Sequence, residues 1–357
     1  MDHELRRAAL ARRATELGLD AVLITRLPNV RYLTGFTGSN GQALVGAGGQ
    51  VFFTDGRYTE QSRREVPGVE RITYPKGLAD PLAEYCTRLG IGRLGFEAES
   101  VTVAMHGKLS GKLAGVELVP IEAEVERLRW VKEPEELDLL RAAQGATDQA
   151  FEDILEVIAV GMSERQVARD LEHAMRREGA DGLAFESIVA FGENAAEPHH
   201  DPTHRVLEEG DVIKLDFGAV WGGYHADMTR TIAFGSPAAE LKKIHDVVRE
   251  AQQAGIDAVQ AGVTGGSADK ASRAVIEDAG YGAYFTHSLG HGVGLEIHEG
   301  PSLVQGGEDA LPVGAVVTVE PGIYVPGLGG VRIEDSVEVT ADGCRVLGSS
   351  TRELIEL

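Results

Sequence analysis

Between Val212 and Phe234 the residues alternate in the manner of a two-stranded hairpin with one buried face. Ile213, Leu215, Phe217 and Ala219 share one parity and are apolar, while Lys214, Asp216 and Gly218 share the other. Side chains two apart lie on the same side of a strand, so one side is core and the other polar. After Trp221-Gly222-Gly223, a second run sets Asp227, Thr229 and Thr231 against Met228, Arg230, Ile232 and Phe234. A tight turn at Trp221-Gly222 predicts Asp216 directly opposite Asp227. Directly opposed Cβ atoms stand roughly 5 Å apart, where like charges repel. A cation between the two acids converts that cost into binding energy.

The same construction recurs downstream. Val317, Val319 and Ile323 read as core, with Thr318 and Glu320 on the other side. Past the turn Pro326-Gly327-Leu328-Gly329-Gly330, the residues Val331, Ile333 and Val337 are apolar, while Arg332, Glu334 and Ser336 face away. Glu320 and Glu334 are equidistant from Gly327, so they too are expected to face one another. A single acid of this kind is usually a solvated edge residue. Two symmetric pairs on the non-core faces predict an oxygen-rich cage.

Histidines gather around these hairpins. His287 and His291 flank Ser288-Leu289-Gly290, and His298 follows seven residues after His291. Glycines on both sides of His291 allow close backbone approach. One imidazole with Asp216, Asp227, Glu320 and Glu334 makes a harder donor set than structural zinc prefers. Manganese or cobalt suits it better, with zinc possible. His199 lies in a polar connection, Asn194 to Thr203. Beside a metal centre, His199, His287 and His298 are candidates for proton transfer and for holding a developing oxyanion.

In the order and spacing of Asp216, Asp227, His291, Glu320 and Glu334, the chain resembles the pita-bread metallopeptidases, in their aminopeptidase P and prolidase branch. The stretches that carry the resemblance are Leu215-Asp216-Phe217-Gly218, Asp227-Met228-Thr229-Arg230-Thr231, Gly290-His291-Gly292-Val293-Gly294-Leu295, Val319-Glu320-Pro321-Gly322-Ile323-Tyr324 and Gly330-Val331-Arg332-Ile333-Glu334-Asp335. The first half contributes Asn29 to Phe36 and Thr54 to Tyr58. The resemblance implies two divalent metal ions, most readily Mn2+, on those five residues. It implies substrate or proton-handling roles for His199, His287 and His298, and substrate contact by Arg332. The implied reaction is attack by a metal-bridging hydroxide on the bond between an N-terminal residue and a following proline. Glu320, at once ligand and base, would pass a proton to the leaving nitrogen. Proline has no amide N–H and a fixed φ, so the bond calls for a dedicated pocket.

Substrate length separates the two activities of the branch. A dipeptidase must anchor the free carboxylate of proline, which Arg does well. Prolidases resemble one another in an Arg shortly after the second histidine, where this chain has His298-Glu299-Gly300-Pro301-Ser302. That departure favours an Xaa-Pro aminopeptidase acting on longer peptides, with an Xaa-Pro dipeptidase as the alternative. A non-catalytic pita-bread binding protein would be expected to have lost ligands, and a creatinase-like hydrolase would need no metal cage.

The chain has 34 Lys plus Arg against 56 Asp plus Glu, a net charge of −22 over 357 residues. Such a surface lacks the basic patch that nucleic-acid binding requires. No apolar run is long enough to span a membrane, and no signal peptide opens the chain. Two cysteines, Cys86 and Cys344, form no disulfide framework, which points to the cytoplasm. The expected class is α+β. Residues 1–123 form a smaller α/β domain, with strands at Val22 to Thr25, Gln42 to Val45, Gln50 to Thr54, Leu94 to Phe96 and Leu118 to Val119. A linker follows at 124–134 and a catalytic domain at 135–357, with helices at about 135–160, 163–179, 237–261 and 266–280. Ser163 and Gln166 predict a capping box. The resemblance further implies a homodimer in which the first domain restricts entry to short peptides, with Arg31 and Tyr58 at the rim.

Overall fold

A computed structural model describes all 357 residues, Met1–Leu357. Its contacts divide the chain into two units, Met1–Arg129 and Trp130–Leu357. The first unit is built on a six-stranded mixed sheet. Its spatial order is Glu70–Tyr74, Gly49–Asp55, Gly41–Gly46, Ala21–Ile24, Arg93–Glu97 and Glu117–Ile121. Ala21–Ile24 pairs antiparallel with Gly41–Gly46 and parallel with Arg93–Glu97, so the sheet is mixed at its centre. The strand Glu70–Tyr74 was not expected from the sequence. Its mostly exposed, charged run Glu70-Arg71 hides the alternation, as befits an edge strand.

The stretch 124–134 is not a free linker. Glu124–Arg129 is helical and belongs to the first unit, tied by Arg13 to Glu124 at 2.7 Å. Trp130 to Glu133 packs into the second unit, where Lys132 pairs with Glu299 at 2.7 Å, both side chains almost fully buried. An unpaired lysine there would carry a large desolvation cost, so the pairing anchors the segment.

Four helices of the second unit, Pro134–Val157, Glu164–Arg177, Ala239–Ala258 and Gly265–Asp278, lie within a few residues of the expected spans. Ser163 and Gln166 form the reciprocal capping box at the second. The helices cover the apolar sides of the strands. Ile213, Leu215 and Phe217 pack with Phe151 and Leu171. Val317, Val319 and Val337 pack with Ile256 and Ala268. Ile323, Val331 and Ile333 pack with Ile244, Val248 and Ile276. The opposite parity of each strand is thereby directed away from the helices. No helix is long and apolar enough to cross a membrane.

The hairpin registers place the acids. In the first, Asp216 pairs with Thr229 rather than Asp227. The turn is centred between Gly222 and Gly223, not at Trp221-Gly222, because Trp221 pairs with Tyr224. Both glycines have positive φ, 55° and 81°, the backbone that a two-residue type I′ turn demands. The register moves by two, parity is kept, and Asp227 becomes the diagonal same-face neighbour of Asp216. In the second hairpin the expectation holds. Val319 pairs with Asp335 and Gly322 with Arg332, a register that sets Glu320 against Glu334 around Gly327.

Candidate metal centre and active site

Asp216, Asp227, His291, Glu320 and Glu334 all line one cavity of about 420 Å³. Ligand atoms of Asp227, His291 and Glu334 lie within 4.8 Å of one another. Asp216 and Glu320 share the cavity but stand outside that tight trio. His291 occupies the strand Gly290–Gly292. A Cβ on Gly290 would overlap the Thr318 carbonyl, and one on Gly292 the Gly300 carbonyl. Only glycine lets the neighbouring strands close on both sides of the histidine.

The electrostatics of this cluster are unbalanced. Burial, reinforced by Glu334, Asp216 and Glu320, pushes Asp227 well above the carboxylate range. Burial and then Glu320 and Asp216 do the same to Glu334. Burial raises Glu320 to about 7 against the pull of Arg332. The one guanidinium at hand, Arg332, pairs with Asp216 Oδ2. Asp216 Oδ1 is buried with no hydrogen-bond partner. His291 Nδ1 lies 3.0 Å from the Gly292 carbonyl, which fixes the proton on Nδ1. Its Nε2 lone pair therefore faces Asp227 at 3.5 Å and Glu320 at 3.4 Å. Burial keeps that ring neutral. Lone pairs and carboxylates this close repel unless a cation stands among them. These residues fit a divalent-metal site.

Hydroxyls and a guanidinium hold the acids in place. Thr229 donates to Glu334 at 2.7 Å and accepts from Arg332 Nε at 2.9 Å. Thr318 accepts from the His291 backbone N–H and lies 3.2 Å from Glu320. Supports of this kind orient ligands.

The three other histidines line the same cavity. His287 is held at both nitrogens, 2.8 Å from the Ser288 carbonyl and 2.9 Å from the Tyr324 hydroxyl, while Arg332 donates to that hydroxyl at 2.8 Å. Burial and Arg332 lower its pKa to about 3. It is a neutral acceptor at the end of an Arg332–Tyr324–His287 chain. The rings of His291 and His298 lie 4.4 Å apart, and burial lowers His298 as well.

Three residues here were not singled out from the sequence. Tyr324 and Thr229 share parity with Glu320 and Asp227 respectively, a signal sufficient to find both. Lys214, two residues before Asp216, is fully buried and donates to the carbonyls of Ala195, Glu197 and Pro198. Burial and Arg332 lower it to about 6, opposed by Asp216 and Glu197. Its partners lie 16–19 residues upstream, out of reach of local periodicity.

Residues 138–341 match metallopeptidase family M24, and residues 6–131 match the creatinase/prolidase N-terminal domain. The chain belongs to metallopeptidase family M24. Its α+β fold is accordingly the pita-bread catalytic domain preceded by a creatinase-type domain. It is 37% identical over 344 residues to an Xaa-Pro dipeptidase of Pyrococcus horikoshii, covering 94% of this chain and 95% of that one. Among solved structures, an Xaa-Pro dipeptidase from Bacillus anthracis superposes with a TM-score of 0.97 at 42% identity, each chain covered completely. An X-Pro aminopeptidase from Thermotoga maritima superposes with a TM-score of 0.90 at 38% identity, over 97% of this chain and 100% of the other. As an M24 member the chain is a metal-dependent peptidase.

Proposed function

We propose that this enzyme is a dinuclear Xaa-Pro peptidase that takes Xaa-Pro dipeptides, with Asp216, Asp227, His291, Glu320 and Glu334 as its metal ligands. The observation that carries the metal reading is the unprotonated His291 Nε2 held against the carboxylates of Asp227 and Glu320. Two bound divalent ions, Mn2+ foremost and Co2+ or Zn2+ as substitutes, supply a water of lowered pKa and Lewis acidity at the scissile carbonyl. The protein's own groups do the rest. His298 and His199 bind the carbonyl oxygen and the substrate's polar ends. His287, locked by Ser288 and Tyr324, holds the hydroxyl of Tyr324 and through it Arg332. Arg332 orients Asp216 and faces the substrate. Glu320 carries the proton to the leaving proline nitrogen. Phe185, Ile188, Ile297 and Val304 give the cavity apolar walls suited to a proline ring.

The dipeptide length is supported by the Pyrococcus and Bacillus anthracis relatives, named as Xaa-Pro dipeptidases. A second reading, aminopeptidase action on longer peptides, is favoured by Ser302. It lines the cavity where an Arg would bind a free carboxylate, and Arg332 is the cavity's sole Lys or Arg. Kinetics on Xaa-Pro dipeptides and Xaa-Pro-Xaa tripeptides, after EDTA and with Mn2+, Co2+ or Zn2+ restored, test both. Metal-restored cleavage with kcat/KM higher for dipeptides is expected. Cleavage of tripeptides alone selects the aminopeptidase, and no cleavage with any metal defeats the peptidase reading. The homodimer and a cytoplasmic location belong to this proposal, and sedimentation analysis and cell fractionation test them.

A further inference from the structure

We infer that Lys214 is a positioning residue for His199, tying the loop that presents this histidine to the strand that presents Asp216. Its Nζ donates to Ala195 O at 3.3 Å, to Pro198 O at 3.2 Å, and to Glu197 O. A lysine nitrogen carries two N–H donors when neutral and three when charged, so these carbonyls take up its donor capacity in either state. All three belong to the residues immediately preceding His199. Arg332 Nη1 adds a fourth bond, to Pro198 O at 3.3 Å. The Lys214 Nζ also sits 5.2 Å from the centre of the Tyr324 ring.

The remainder of the loop is held by a different group. Glu164, fully buried, accepts from Phe191 N at 2.8 Å, Asn194 Nδ2 at 2.9 Å and Thr203 N at 2.8 Å, with His200 Nε2 at 3.0 Å. Glu164 thus grips the two ends of the loop, and Lys214 grips the stretch just before His199. That stretch turns the carbonyls of Ala195, Glu197 and Pro198 toward the buried Lys214 nitrogen. Without the lysine they would be buried with fewer partners, and the backbone leading into His199 would lose its tie to the strand of Asp216. A buried lysine on the polar parity of a ligand-bearing strand therefore acts through a neighbour, not on the substrate.

This inference rests on the proposed substrate contact of His199. The test is a double-mutant cycle on an Xaa-Pro dipeptide with Lys214→Met and His199→Ala. The methionine removes the donors while keeping similar length. If Lys214 acts through His199, the lysine variant raises KM about tenfold in the parent and leaves KM and kcat nearly unchanged in the His199→Ala background. Metal content per chain stays the same in all four proteins. Lys214→Gln, which keeps two N–H donors on a stem one atom shorter, should recover part of the loss. Equal losses in both backgrounds, or failure of both lysine variants to fold, would make Lys214 a stabiliser of the core and overturn the inference. A His199→Ala variant that binds and turns over dipeptide like the parent would instead remove the substrate role of His199, leaving a separate signature.

Discussion

Glu334 and Asp335 are neighbours in sequence and equally buried, each 2% exposed, yet where the strand Asp335–Thr340 begins they point to opposite sides with opposite surroundings. Asp335 faces the helices, where Arg230 at 2.8 Å, Arg352 at 2.6 Å and Gln252 at 2.7 Å satisfy it. Glu334 faces the cavity, where Thr229 at 2.7 Å is its one neutral donor and Glu320 and Asp216 add negative charge. An acid surrounded by guanidinium groups joins parts of the fold. An acid surrounded by acids destabilises the metal-free fold and becomes favourable when a cation arrives. Burial is the same on both faces, so the partners decide which residue is structural and which is functional.

The largest effect should come from exchanging carboxylate for amide on each face. Glu334→Gln or Asp227→Asn is expected to lower peptide hydrolysis by on the order of a thousandfold, as loss of a metal ligand does. The same substitutions should raise the melting temperature of the metal-free protein by removing like-charge repulsion. Asp335→Asn should do the reverse, costing roughly 3 kcal/mol through its stranded arginines while leaving metal stoichiometry unchanged. Calorimetry on metal-free protein with elemental analysis reads both. A drop in melting temperature for Glu334→Gln would dissolve the contrast between the faces.

Glu320 sharpens the comparison through pH. It ionises near 4.5 when unfolded and near 7 in the metal-free fold. The folded protein therefore holds an extra proton between those values. That contribution is fully present below 4.5 and is lost as pH rises through 7, about 3 kcal/mol in all. Denaturant titrations should show Glu320→Gln flattening this slope, and an unchanged slope would refute the assignment. Binding of a divalent cation is comparable in size. A divalent metal at a hundredfold over its Kd should stabilise the parent by about 2.7 kcal/mol, and Asp227→Asn much less.

Two smaller changes complete the series. Ser302→Arg places a positive charge on the cavity wall and should shift kcat/KM toward dipeptides over tripeptides by about tenfold. A shift toward tripeptides would show that the carboxylate does not reach this wall. Gly223→Ala strains a turn outside the cavity and should cost about 1 kcal/mol by thermal unfolding, with metal content untouched.

Much of this arrangement was legible in the residues themselves. Parity assigned Asp216, Asp227, Glu320 and Glu334 to the sides that turned out to face the cavity, since side-chain direction in a strand follows position alone. The equal distance of Glu320 and Glu334 from Gly327 predicts the observed register because that turn is symmetric about one residue. The first hairpin's register lies two residues from the one its sequence predicts, since in Trp221-Gly222-Gly223 either bond can centre the turn. Charge and Pro134 make the run 124–134 resemble a linker, whereas tertiary partners such as Glu299 order it. Asp335 carried no signal: it has the parity of core residues, and its cations come from elsewhere in the chain.

By itself the sequence determined which strand faces are polar, where the capped helix at Ser163 begins, and the inventory of metal-compatible side chains. Those properties follow from periodicities of two and from caps read over a few residues. Only the tertiary structure decided that Arg332 neutralises Asp216, that Arg230 neutralises Asp335, and that Lys214 meets the carbonyls before His199. The first two pairs are separated by 116 and 105 residues. Contacts at that range are set by how packed sheets converge, and local pattern carries no record of which charge will meet which.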